Sequence, residues 1–311
     1  MRAQDTLARA PLYRTERQIV KRIEAGVLNV AYEETGSGIP VLLLHGFPYD
    51  IHSFDEVAST LAAAGCRVIV PYVRGYGPTR FRYPNTPRSG QQAVLAHDTL
   101  ELMDALKIEK AVIAGFDWGS RSACIAAALW PERVRGIVCG AGYIIQDIAR
   151  SLDPAPPEAE RRYWYQYYFH SERGRRGLEK NRRELCKLLW KLWSPTWRFD
   201  DATYDRTATS FDNPDFVSVA VHSYRHRYGL VPGDPAVEDS ERRLTALPSI
   251  TVPAIALHGA DDGVTPATAP EKQARFFRGP YERHVLSGVG HNLPQEAPQK
   301  FSDAVLSLAR K

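Results

Sequence analysis

From Lys21 to about Cys139 the hydrophobic positions switch repeatedly between a strand-like and a helix-like spacing. Arg22 to Glu33 and Pro40 to Leu44 read as strands, separated by the turn signal Thr35-Gly36-Ser37-Gly38. Apolar residues then recur at helical spacing from Phe54 to Ala64 and stop at Gly65, a residue suited to ending a helix. Cys66 to Val70 is apolar apart from Arg67 and reads as a buried strand, and Gln91 to Leu106 is helical by period. Ala111 to Ala114 is a short apolar strand running into Gly115; Arg121 to Leu129 is helical up to Pro131, and Val134 to Cys139 is a further strand. Such alternation predicts an α/β fold with a mostly parallel sheet covered by helices.

Near Tyr143 the pattern changes. From there to about Pro235 strand signals nearly vanish and basic, aromatic helical stretches replace them, with Pro154, Pro156 and Pro157 marking a hinge at one end and Gly229 to Pro235 a loop at the other. The alternation then returns: Val252 to His258 is a strand, Pro270 to Arg278 a helix, His284 to Leu286 a short strand and Ala297 to Leu308 a final helix. The expected division is an N-terminal extension over residues 1–20, a core made of 21–142 and 236–311, and a helical insertion over 143–235.

Composition narrows the class. With 311 residues, 44% hydrophobic and 24% charged, the chain can bury a sizeable core, and disordered or collagen-like classes are excluded. A net charge of +4 argues for no polyanionic partner. Between Arg161 and Arg198 there are 11 Lys or Arg against 3 Glu, but no nucleic-acid motif accompanies them, so the stretch reads as a solvated helix face. Cys66, Cys124, Cys139 and Cys186 are scattered without a CxxC pair, which argues against structural zinc and for buried thiols in a reducing compartment. The first residues lack the apolar run of a signal peptide, and no run approaches the roughly 18 residues that span a bilayer. The expectation is a cytoplasmic protein with no membrane or nucleic-acid partner and no cofactor or metal, acting on a small molecule and water; a homodimer is left open.

Gly115-Phe116-Asp117-Trp118-Gly119 joins a strand to a helix and has the form of a nucleophile elbow, in which a sharp turn lifts one side chain above the sheet and small residues two positions away relieve crowding. The elbow's usual serine is Asp117 here. A serine attacking a saturated carbon would form an ether that resists hydrolysis, whereas a carboxylate forms an ester that water can cleave at the aspartate's own carbonyl carbon. The expected electrophile is therefore an sp3 carbon with a leaving group. Cleaving that ester requires a base, a group to hold the base, and donors for the oxyanion. Gly288-Val289-Gly290-His291 supplies His291 before the last helix, and Gly259-Ala260-Asp261-Asp262 supplies two carboxylates, of which Asp262 is preferred. The backbone NH groups of Trp118 and of Phe47, in His45-Gly46-Phe47-Pro48, are the expected oxyanion donors. Arg74-Gly75-Tyr76-Gly77 is expected to be structural.

On these five motifs, in this order, the sequence resembles the α/β-hydrolase superfamily, and within it the epoxide hydrolase branch. The resemblance implies an α/β-hydrolase fold with an inserted helical cap, and ring opening of an epoxide to a diol through an aspartyl ester. It also implies two cap tyrosines that protonate the departing oxygen. Tyr165, 48 residues beyond Asp117 in Tyr165-Gln166-Tyr167-Tyr168-Phe169, resembles the first, and Tyr224, in Tyr224-Arg225, the second. Trp118, Arg121 and Tyr168 are expected at the substrate. Arg121 is unusual for neutral epoxides, and haloacetate dehalogenases carry an arginine at this offset; they place a second one where this chain has Trp118. Haloalkane dehalogenases share the Asp-Trp pair but have Asn at the position of Phe47. A haloacid or haloalkane dehalogenase is the alternative enzyme, and a non-catalytic ligand receptor the alternative of another class.

Overall fold

The computed structural model describes residues 19–267 and 270–310. Residues 1–18, most of the expected extension, lie outside the described residues. Among the described residues nine strands form one sheet: β1 (Lys21–Ala25), β2 (Leu28–Thr35), β3 (Ile39–Leu44), β4 (Cys66–Pro71), β5 (Arg80–Phe81), β6 (Ala111–Gly115), β7 (Val134–Gly140), β8 (Ala254–Gly259) and β9 (Tyr281–Leu286). Their order is β1-β2-β4-β3-β6-β7-β8-β9, with β5 beside β2. Pairing is antiparallel around β2 and parallel from β4 through β9. The mostly parallel sheet read from the sequence is present.

Helices α1 (Asp55–Ala63), α2 (Gln92–Ala105) and α3 (Trp118–Leu129) connect the early strands. Seven more lie between β7 and β8, the first six within residues 143–235: α4 (Pro157–Arg162), α5 (Trp164–His170), α6 (Glu172–Lys180), α7 (Arg182–Trp193), α8 (Asp201–Ala208) and α9 (Phe216–His226). The chain then forms α10 (Glu238–Leu244), α11 (Pro270–Ala274), α12 (Leu293–Glu296) and α13 (Pro298–Ala309).

Successive residues of a strand point to opposite faces, so a strand buried on both sides must be apolar throughout. In β3, Val41 and Leu43 join the core beneath α1, α13 and the inserted helices, while Leu42 and Leu44 join the core beneath α2, α3 and α10. Val112 and Ala114 of β6 alternate with Ala111 and Ile113 in the same way. The continuous apolar runs of the sequence are these double-sided strands.

Two expectations are corrected. Arg22 to Glu33 is a hairpin, not one strand: Gly26 takes φ +51° in the two-residue turn between Ala25 and Leu28, a conformation open to glycine without steric cost. The helix expected over Pro270 to Arg278 ends at Ala274, because Ile250 captures the backbone that follows: its NH donates to Phe276 O at 2.8 Å and its carbonyl accepts from Arg278 NH at 2.8 Å.

The inserted helices are tied to the loops at the carboxyl ends of the strands. Trp190 Nε1 donates to Pro48 O at 2.8 Å, and the hydroxyls of Thr207 and Ser210 donate to the buried Asp50 carboxylate at 2.8 and 2.7 Å. Several cations of the basic stretch are half-buried and ion-paired, Arg175 with Glu172 and Glu179, Arg183 with Asp212 and Lys187 with Asp201. Among the described residues no helix is long and apolar enough to cross a membrane.

Candidate active site

Strand β6 ends at Gly115 and α3 begins at Trp118, which leaves two residues to turn the chain. Asp117 takes φ 52° and ψ −123°, a backbone conformation that costs a non-glycine residue roughly 1–3 kcal/mol and persists only where the surroundings impose it. They do so here. A Cβ on Gly119 would lie 1.8 Å from Leu44 O, and one on Gly115 would lie 2.6 Å from the Gly119 carbonyl carbon. The loop after β3 comes equally close, since a Cβ on Gly46 would lie 2.3 Å from Asp117 Oδ1 and 2.5 Å from Trp118 N. As a result the Phe47 NH donates to Asp117 Oδ1 at 2.8 Å, with the Trp118 NH adjacent. His45 fixes this loop by accepting from the Val73 NH at Nε2, 3.2 Å away; burial holds its pKa down at about 4 and keeps it neutral.

The other carboxylate oxygen of Asp117, Oδ2, lies 3.6 Å from His291 Nε2. On the far side of the ring, His291 Nδ1 meets Asp262 Oδ2 at 2.7 Å. Asp262 Oδ1 accepts from the NH groups of Val264 and Thr265 at 2.9 and 2.7 Å, so the carboxylate is pinned by the loop after β8. Asp262, rather than Asp261, thus touches the imidazole. Arg74 has a purely internal environment: it forms a two-pronged ion pair with Asp98, both contacts 2.6 Å, and donates to Ser89 O.

Tyr165 of α5 and Tyr224 of α9 are both buried, with ring centroids 5.3 Å apart. They stack around Phe47 together with Trp118, whose ring lies 6.1 Å from Tyr224. A cavity of about 410 Å³ opens onto Asp117, Arg121, Tyr165, Arg227 and His291. Neither Trp118, Tyr224 nor Tyr168 lines it. Three residues along α5 turn a side chain about 60° from Tyr165, and the Tyr168 hydroxyl instead lies over Gly177, where a Cβ would meet it at 1.8 Å. The expected substrate contact by Tyr168 is therefore corrected to a packing contact with α6.

The family model for the alpha/beta hydrolase fold matches residues 39–298. The chain belongs to the α/β-hydrolase fold family. It is epoxide hydrolase-like: a crystal structure of a candidate epoxide hydrolase from Klebsiella pneumoniae superposes with a TM-score of 0.92 at 48% identity, covering 94% of this chain and 97% of that one. Epoxide hydrolase A of Mycobacterium tuberculosis is 28% identical over 298 residues, 87% of this chain and 90% of its own. An epoxide hydrolase of Caballeronia sordidicola is 36% identical over 107 residues, so the match spans only 31% of that protein and 33% of this one.

Charge in this α/β hydrolase's site is tightly coupled. Burial alone would lower the His291 pKa, but Asp262 and Asp117 outweigh it and hold the imidazole up at about 10. Burial would raise the Asp117 pKa, yet His291, Arg121 and the Phe47 NH bring it below the usual carboxylate range. Both shifts act toward an imidazolium beside a carboxylate. Burial, aided by the Asp117 charge, pushes both Tyr165 and Tyr224 upward and keeps them protonated, while the Arg227 charge acts against that rise. Among the described residues no cluster of three or more His, Cys, Asp or Glu could hold a metal ion.

Several residues at the site escape sequence reasoning. Gln166 Nε2 donates to the Tyr165 hydroxyl at 3.0 Å while its Oε1 accepts from Arg227 at 3.2 Å. Glu296 accepts from the NH groups of Gly290 and Asn292 and from the Ser194 hydroxyl, which itself accepts from the His291 NH. The available signals were slight: Gln166 adjoins Tyr165, Arg227 follows Tyr224 by three, and Glu296 falls one helical turn after Asn292.

Proposed function

We propose that this protein hydrolyses epoxides to vicinal diols through a covalent ester on Asp117. The observation that carries the reading is a carboxylate whose two oxygens have different surroundings, in one cavity with the buried Tyr165 phenol, against whose ring Tyr224 packs. Oδ2, free of the backbone donors, attacks an oxirane carbon; the C–O bond breaks, and the departing oxygen takes a proton from Tyr165 or Tyr224. An alkoxide is a strong base, and buried, neutral phenols are suited to donate to it. Oδ1 becomes the ester carbonyl; it already accepts from the Phe47 NH, and the Trp118 NH is the second donor for its developing charge.

Forming the ester removes the Asp117 charge that helps hold His291 protonated. The imidazole's pKa falls and its proton passes to the phenolate left by ring opening; the neutral ring then takes a proton from water while Asp262 keeps it oriented. Hydroxide adds to the Asp117 carbonyl carbon, and the diol leaves carrying the former Oδ2. The proposal assigns residues 143–235 the role of a cap that supplies the two phenols and the substrate's surroundings, with 21–142 and 236–311 as the core. Four buried, unpaired cysteines support a cytoplasmic site of action.

The indole NH groups of Trp118 and Trp193 are buried without partners, and Trp193 lies 5.2 Å from His291. Such donors could receive a halide, which favours carbon–halogen cleavage as the second reading. Incubation with a panel of terminal and disubstituted epoxides, and separately with haloacids and haloalkanes, tests both. Diol formation without halide release supports the first; halide release with no epoxide turnover contradicts it.

A further inference from the structure

We propose that the natural substrate carries a carboxylate, which lies between Arg121 of α3 and Arg227 beyond the end of α9. The inference rests on the epoxide-opening reading and names the class of epoxide. Arg121 is 7% exposed, and among the described residues its side chain makes one hydrogen bond, from Nε to Ile144 O at a long 3.3 Å. Arg227 donates to Gln166 Oε1 and lies over the Tyr224 ring at 4.5 Å, while its Nε is buried with no partner. Among the described residues neither guanidinium is ion-paired with a carboxylate. Both open onto the cavity that holds Asp117 and His291.

Two guanidiniums close enough to oppose each other's charge are unfavourable in a buried site without an anion. Burial, and after it the Arg227 charge, lowers the Arg121 pKa to about 10, while Asp117 acts in the opposite direction. Asp117 is the nearby compensating charge, and esterification removes it. At that moment the two arginines would be left without an anion unless the substrate brings one. A carboxylate fits the planar fork of a guanidinium and can accept from both residues. A monoanion is favoured over a phosphate dianion because Asp147, Asp153 and Glu160 line the same cavity. Asp153 is paired with Arg150, which also lines the cavity, and Glu160 accepts from the Tyr167 hydroxyl, so these two carboxylates are engaged by groups other than Arg121 and Arg227. Arg121 sits one helical turn from Asp117, so the carboxylate belongs on a short chain, a few bonds from the oxirane.

The test compares an epoxy acid, such as 3,4-epoxybutanoate, with its primary amide, which has the same shape and no charge. The wild-type kcat/KM is expected to favour the acid by about 10- to 100-fold, the factor for a charge-assisted pair. Arg121→Gln and Arg227→Gln should each lower the acid-to-amide ratio by about tenfold or more, through KM for the acid. Equal rates for acid and amide, or a ratio unmoved by both substitutions, would overturn the proposal even if one variant folds poorly. Butyrate against butyramide at equal chloride gives a readout without turnover. Saturable thermal stabilisation by butyrate alone is expected, and its absence in the wild type contradicts carboxylate binding. If neither epoxide is hydrolysed but butyrate still stabilises, the carboxylate site stands and the epoxide reading fails.

Discussion

The site has two halves with different origins. Phe47, Asp117, Asp262 and His291 stand on short loops at the carboxyl ends of β3, β6, β8 and β9, where parallel sheets gather their functional groups. Tyr165, Tyr224, Gln166 and Arg227 come from inserted helices held by aromatic packing and side-chain hydrogen bonds. The first half is fixed by backbone approach: Leu44 O and the Asp117 carboxylate leave no room for a Cβ at Gly119 or Gly46. The four residues of the second half are placed by side-chain packing and hydrogen bonds between elements rather than by a tight turn.

That contrast fixes the order of expected effects. Asp117→Asn removes the nucleophile and should lower kcat by about ten-thousand-fold or more in a steady-state diol assay. His291→Gln should stop the second step only. Turnover falls by about a thousand-fold or more, and intact-mass measurement should show the enzyme gaining one whole epoxide, attached at Asp117; an enzyme without adduct would separate the imidazole from ester cleavage. Tyr165→Phe and Tyr224→Phe should each slow ester formation by roughly 10- to 100-fold in single-turnover experiments, with the double variant slower still and ester cleavage unchanged. Loss of ester cleavage in those variants would break the division between the halves.

Smaller effects concern stability. Trp190→Phe deletes the hydrogen bond to Pro48 that ties α7 to the Phe47 loop and should cost about 1 kcal/mol in denaturant unfolding. The His291 pKa is raised on folding, from 6.5 to about 10. Its stabilisation is therefore complete below pH 6.5 and lost as the pH rises through about 10. Thermal melts should weaken over that window in the wild type, and the weakening should shrink in His291→Gln.

The same two origins explain what the sequence revealed. Double-sided strands such as β3 and β6 read directly as apolar runs, and the Asp117 elbow, the Asp262 loop and His291 follow from short motifs because tight turns demand particular residues at fixed spacing. The Arg22 to Glu33 hairpin was hidden because its Val27 continues an apolar pattern and only Gly26 marks the turn. Among the inserted helices the tyrosines come from resemblance, and the expectation for Tyr168 fails because its hydroxyl lies over Gly177 of α6 rather than at the cavity. The link between Gln166 and Arg227 is illegible because it joins α5 to the residue after α9, a relation that only the packing of those helices creates.

The central claim is that Asp117 bonds to the substrate. A single turnover in heavy-oxygen water, with enzyme in excess, tests it most directly. The account predicts that the heavy atom enters the Asp117 carboxylate and that the first diol released carries none from solvent. Heavy oxygen found in that first diol, with Asp117 unlabelled, would contradict it and mean that water attacks the ring itself.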